Sequence, residues 1–205
     1  MSAACGVDAA ANPFRASRIL QFRYRFVDSG WDPLLSTLEA LGMRGAIVGP
    51  EGSGKTTLLE DLGERLRRSG RRVVFGGVEA GAVTLLDGAE RLTRREWRRL
   101  LRSTRAAAGL VVTAHRPGCL PTLIETRTTP GILDAAVLAA SGRRCDGFGV
   151  TADELWTRHG GNVRTALREL YDLCAGRIPS ASQIREARTR SRAAASATRT
   201  MPPPR

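Results

Sequence analysis

Hydrophobic positions follow two rhythms along this chain. Short apolar runs at 44–49 (RGAIVG), 73–75, 82–87 (AVTLLD) and 109–114 (GLVVTA) read as buried strands. Between them the spacing turns helical. Leu34, Leu35, Leu38 and Leu41, behind Asp32 as N-cap and Pro33 in the first turn, predict a helix over 33–41. Leu58, Leu59, Leu62 and Leu66 predict one over 55–69, stopped by Gly70. A third amphipathic helix spans 91–107. Thr129-Pro130 opens another to about Ala140, and Thr151 with Glu154 forms a capping box for one reaching about His159. Asn162 caps a last helix that turns Val163, Leu167, Leu170, Tyr171 and Cys174 inward. A weaker strand is expected within 120–128. Another is expected at 19–26, where Phe22, Tyr24 and Phe26 alternate with Gln21, Arg23 and Arg25. Strands alternating with helices predict an α/β fold with a mostly parallel sheet. Too few residues separate Val78 from Ala82 for a helical crossover, so 73–75 is expected to pair antiparallel or to lie apart.

Composition sharpens this picture. The 205 residues include 32 basic and 20 acidic ones, a formal charge of +12, and Lys55 is the sole lysine. The tail at 176–205 holds seven arginines against one glutamate and few large apolar residues. It is expected to be disordered, as is 1–12. The domain plan is therefore a core at 13–142, a small helical unit at 143–175 and two flanking segments. No apolar run approaches the ~18 residues of a membrane span, and the amino-terminal stretch lacks the pattern of an export signal. Four cysteines without CxxC spacing and two histidines exclude a zinc finger. A reducing, cytoplasmic setting is expected.

The chemistry concentrates in residues 49–57. Gly49, Pro50, Glu51, Gly52, Ser53, Gly54, Lys55 and Thr56 match G-x-x-x-x-G-K-[ST], followed by Thr57. The match follows an apolar strand and opens a helix. Glycines let backbone N–H groups turn inward around a phosphate, and the helix amino end adds positive charge. Lys55 is expected on the β/γ-phosphates and the Thr56 hydroxyl on Mg²⁺. An arginine-biased sequence keeps its one lysine where a compact ammonium is needed and a planar guanidinium does not fit. Asp87 ends an apolar strand where open α/β sheets bind ligands and is expected to hold the metal shell with Thr56. Glu90, three residues on, is a candidate for polarising the attacking water.

These residues resemble the AAA+/STAND group of P-loop ATPases. GPEGSGKTTLLEDL looks like their Walker A and AVTLLDGAERL like their Walker B. GLVVTAHRP resembles the strand ending in a sensor 1 residue, which implies Thr113, or else His115, at the γ-phosphate or the attacking water. GGNVRTALRELYD resembles the lid helix whose arginine is sensor 2, which implies that role for Arg164. The resemblance covers about residues 12–175. It implies a P-loop three-layer sandwich with a small helical carboxy-terminal lid, binding ATP and Mg²⁺ and acting on a protein partner. The expected activity is ATP hydrolysis. The alternatives are a nucleotide-dependent switch with little hydrolysis, or a small-molecule P-loop kinase. One lysine excludes the Asn-Lys-x-Asp guanine motif of GTPases, and no LSGGQ-like signature of ABC ATPases is present.

Arginine surfaces add a second theme. Arg91, Arg94, Arg95, Arg98, Arg99, Arg102 and Arg105 recur at three- and four-residue steps on one face of the third helix, opposite Trp97, Leu100, Leu101 and Thr104. This face at 91–105 and the tail at 176–205 are candidates for nucleic acid, with plain solvation as the simpler reading.

Overall fold

The computed structural model describes residues 8, 10–15, 23–27 and 29–178. Most of 1–12, half of 19–26 and the tail beyond 178 lie outside the described residues, and with them the disorder expected there. Asn12, by contrast, is buried.

Five strands form one all-parallel sheet: β1 (Arg44–Val48), β2 (Val73–Phe75), β3 (Val83–Leu86), β4 (Gly109–Ala114) and β5 (Thr122–Glu125), in the order β2-β3-β4-β1-β5. β1 lies between β4 and β5, with Ile47 opposite Thr113 on one side and Ile124 on the other. Side chains alternate across a strand, so β1 feeds both faces. Ile47 points into a core with Leu58, Leu59, Leu62, Leu85 and Val111, while Ala46 and Val48 point into the opposite one with Leu110 and Val112. The helices α1 (Trp31–Ala40) and α2 (Lys55–Arg68) cover the first face. The helix α3 (Arg94–Ser103) covers the second with Trp97, Leu100 and Leu101. The arrangement is three layers, α/β/α.

Four of the expected elements change in the structure. β2 pairs with β3 in parallel, Val73 against Val83, rather than antiparallel or apart. Only seven residues, 76–82, join them. A helical crossover is needed when the chain must travel back along a long strand, but three residues rise only ~10 Å, and seven extended residues reach about twice that. Gly76 N–H donates to Leu85 O, Gly81 N–H to Ala106 O, and Arg72 pairs with Glu79, which anchors the short return. Residues 23–26 join no strand. Tyr24 N–H donates to Asp61 Oδ2 of α2 at 2.6 Å, and Arg23 pairs with Asp61 and Glu64, so the segment follows a helix rather than a ladder. The 91–107 helix divides into two 3₁₀ turns around α3, because Thr93 and Glu96 close a capping box that starts the α-helix at Arg94. α1 begins at Trp31 behind Gly30, so Asp32 sits in its first turn rather than at its cap.

The last helices are α4 (Pro130–Ser141), α5 (Ala152–Arg158) and α6 (Val163–Cys174). α4 packs with α5 and α6, not on the sheet: Leu133 and Val137 share a cluster with Cys145, Leu155, Leu167 and Leu170. The cluster thus spans both sides of residues 142 and 143. Phe14 inserts into the same cluster, and Asn12 Nδ2 donates to Tyr171 O at 2.9 Å, tying the amino-terminal segment to α6.

Candidate functional site

The loop 49–54 leaves the carboxy end of β1, flanked by β4 and β5, and runs into α2. Ligands of open parallel sheets bind at such ends. Gly52 and Gly54 hold positive φ, +73° and +88°, which favours glycine. The loop is also closely packed. A Cβ at Gly49 would overlap Thr126 Oγ1, one at Gly52 would overlap Asn162 Oδ1, and one at Gly54 would come within 3.2 Å of the Tyr24 ring. Ser53 Oγ donates to Pro50 O at 2.8 Å and shares a 2.6 Å hydrogen bond with Thr126 Oγ1.

α2 begins at Gly54 with no side-chain cap and no acidic residue in its first turn. Every other described α-helix has one or the other. Its first N–H groups are thus left to an external acceptor, and the helix dipole favours an anion there. Lys55 is buried, 8% exposed, and its Nζ donates to Gly49 O and Pro50 O, both at 2.8 Å, which folds the ammonium over the loop. Burial lowers its pKa. The carboxylates of Glu90, Asp87 and Glu51 oppose that shift, and Arg164 adds to it. One ammonium therefore feels all four charged residues.

Thr56 and Asp87 come together from the start of α2 and the end of β3. Thr56 Oγ1 donates toward both carboxylate oxygens of Asp87 at 3.2 Å. Thr113 Oγ1 donates to Asp87 Oδ1 at 2.6 Å and accepts from Gly88 N–H at 2.7 Å. Its hydroxyl is thus engaged within the protein, and the residue is 1% exposed. Thr113 orients Asp87. Glu90 lies on the 3₁₀ turn Ala89–Arg91, with Oε1 3.4 Å from His115 Nε2. Arg164 is exposed in the first turn of α6 and makes no hydrogen bond or ion pair among the described residues. Asn162, the α6 cap, accepts from Thr165 N–H while resting on Gly52. The sequence identified neither that contact nor Thr126. A cavity of about 170 Å³ opens beside the loop, between Tyr24, Phe26, Val27 and Ser29 and the end of β5 at Ile124, Glu125 and Arg127.

The donor chemistry suits a hard cation. A hydroxyl and a carboxylate converge, and Mg²⁺ takes one or two such oxygens together with waters and substrate phosphates. Among the described residues no cluster of three or more His, Cys, Asp or Glu side chains could hold a metal by itself. No described helix is long and apolar enough to cross a membrane. Compared with protein-family models and with curated proteins, the chain matches none.

Proposed function

We propose that this protein binds ATP with Mg²⁺ at residues 49–57 and hydrolyses it as an AAA+/STAND-like P-loop ATPase, coupling the nucleotide to the α4–α6 helices and through them to a protein partner. The observation that carries the reading is the meeting of Thr56 with Asp87 beside an uncapped α2 and a buried lysine. The backbone N–H groups of the loop and Lys55 would bind the β/γ-phosphates. Thr56 and Asp87 would hold Mg²⁺, which would supply positive charge to offset the negative charge of the phosphates. Thr113 keeps the Asp87 carboxylate turned toward Thr56. Glu90 would take a proton from the attacking water, and Arg164 would stabilise charge on the transferred group. The 170 Å³ cavity beside Tyr24 is smaller than a typical whole-ligand pocket and suits one ring system, such as the base.

A second reading, a nucleotide-dependent switch with little hydrolysis, draws on the contact between Glu90 and His115, which holds the candidate base. Isothermal titration and phosphate release separate the two. Lys55→Ala is expected to abolish ATP·Mg²⁺ binding while keeping the fold, checked by circular dichroism. Asp87→Asn is expected to keep affinity for metal-free ATP and to lose Mg²⁺-dependent turnover. Unchanged affinity in Lys55→Ala would remove the nucleotide site. Binding without turnover in the wild type would select the switch.

A further inference from the structure

The outer face of α3 lies apart from the nucleotide loop, on the opposite side of the sheet from α2. We propose that it is a binding surface for the phosphate backbone of double-stranded nucleic acid. All seven arginines of 91–105 are exposed. None of them forms an ion pair or a ring contact among the described residues. By contrast Arg23, Arg68, Arg71, Arg72, Arg144 and Arg158 each meet a carboxylate. Other arginines without an ion pair or ring contact among the described residues, such as Arg116, Arg164 and Arg168, stand in ones and twos, so a general excess of arginine does not account for seven gathered in one stretch. The one acid on α3, Glu96, turns back to Thr93, accepting from its N–H at 2.8 Å and its hydroxyl at 2.7 Å, and leaves the face uncompensated.

The face is fixed before any ligand arrives. Trp97, Leu100 and Leu101 seat the helix on the sheet, and Arg44 Nη2 donates to Thr104 Oγ1 at 2.9 Å just beyond its end. Arg94, Arg95, Arg98 and Arg102, with Leu101, line an open hollow of about 620 Å³. Ten helical residues span ~15 Å, over which a duplex presents about nine phosphate charges. Arg94, Arg95, Arg98, Arg99 and Arg102 lie on those ten residues, with Arg91 and Arg105 on the flanking 3₁₀ turns, and each guanidinium can grip a phosphate with two N–H donors. Single strands gain much of their affinity from stacking on aromatic rings. The only aromatic side chain on α3, Trp97, is turned to the sheet. Protein interfaces rely on buried aromatic anchors, which this face also lacks.

The test is fluorescence anisotropy of the full chain with a labelled duplex of about 25 base pairs, between about 50 and 200 mM salt. One variant combines Arg94→Gln, Arg95→Gln, Arg98→Gln and Arg102→Gln. It keeps the capping box and a residue type of similar helix propensity. The control combines Arg68→Gln, Arg71→Gln, Arg72→Gln and Arg144→Gln, with the same net charge. The α3 variant is expected to flatten the log–log salt dependence by a slope of about three to four, at ~0.9 per lost phosphate contact. Its affinity at the lower salt should fall by more than about tenfold, and the control should lose less than about threefold. Equal losses in the two variants would reduce the effect to net charge and overturn the proposal. Full binding by the α3 variant would assign the activity to another segment, such as the tail, and no binding by the wild type would also overturn it. Displacement by poly-glutamate at equal charge would point instead to an acidic protein. No step uses the nucleotide, so a failed ATP titration leaves this result interpretable.

Discussion

The hydroxyl of Thr113 bonds to Asp87 and to Gly88 N–H at once, in a site it shares with no solvent. Thr113→Val keeps the shape and removes both bonds. Leaving the buried Gly88 N–H without a partner costs about 1–3 kcal/mol, so urea unfolding should register a loss of that size. With Asp87 no longer oriented, affinity for ATP·Mg²⁺ is expected to fall more than affinity for metal-free ATP, read by titration with and without a chelator. Tyr24 supplies a pH-dependent counterpart. Burial pushes its phenol from 10.0 up to about 12. The unfolded chain ionises first, so this stabilisation is complete below pH 10.0 and is lost as the pH rises toward about 12. Tyr24→Phe should flatten the alkaline fall in stability across that window. Lys55, Thr56 and Asp87 were legible in the sequence because their chemistry is carried by local spacing. Thr126 was not: it stands 73 residues from Ser53, and only the β1–β5 pairing brings the two hydroxyls together.

At the scale of elements, the loop and α6 meet through Gly52 and Asn162. Gly52→Ala adds a methyl where the Asn162 side chain sits and strains a φ of +73°. It is expected to lower both the melting temperature and nucleotide affinity, whereas Gly142→Ala, also at positive φ but with open space around it, should affect only stability. The capping box of α3 permits a cleaner test. Thr93→Ala should cost about 1 kcal/mol in urea unfolding with ATP affinity unchanged, since Thr93 touches none of the loop residues. The strand and helix types were readable from apolar spacing at β1, β3, β4, α2 and α6. The parallel pairing of β2 was not, because a rule for crossover length presumes strands longer than three residues. The 23–26 segment failed for a different reason. Its alternation is real, but the Tyr24 N–H donates to the Asp61 carboxylate of α2 rather than to a strand edge.

The whole molecule has two bodies of core: the sheet with its flanking helices, and the α4–α6 cluster that encloses Phe14. Cys145 reports on the second. It is 1% exposed, and burial, with Asp134 beside it, pushes its thiol up to about 12. Thiolate is the reactive form, so near neutral pH the native protein is expected to alkylate at Cys119 well before Cys145, as peptide mass spectrometry would resolve. Saturating ATP·Mg²⁺ should slow the labelling of Cys145 further if the nucleotide draws α6 onto the loop. Labelling of both at one rate would mean that the cluster opens freely.

The position of β1 has a consequence for how the chain matures. Its two sheet neighbours, β4 and β5, are both encoded far downstream, after α2, β2, β3 and α3. A growing polypeptide therefore makes the 49–54 loop early and has nothing to brace it against until the fourth and fifth strands emerge. Distant pairings of this kind slow folding, and the strand that leads into the 49–54 loop is among the last to be secured. A nucleotide that binds only the braced loop stabilises finished molecules and not partial ones. Ligand capture during synthesis would then mark the moment at which the sheet closes.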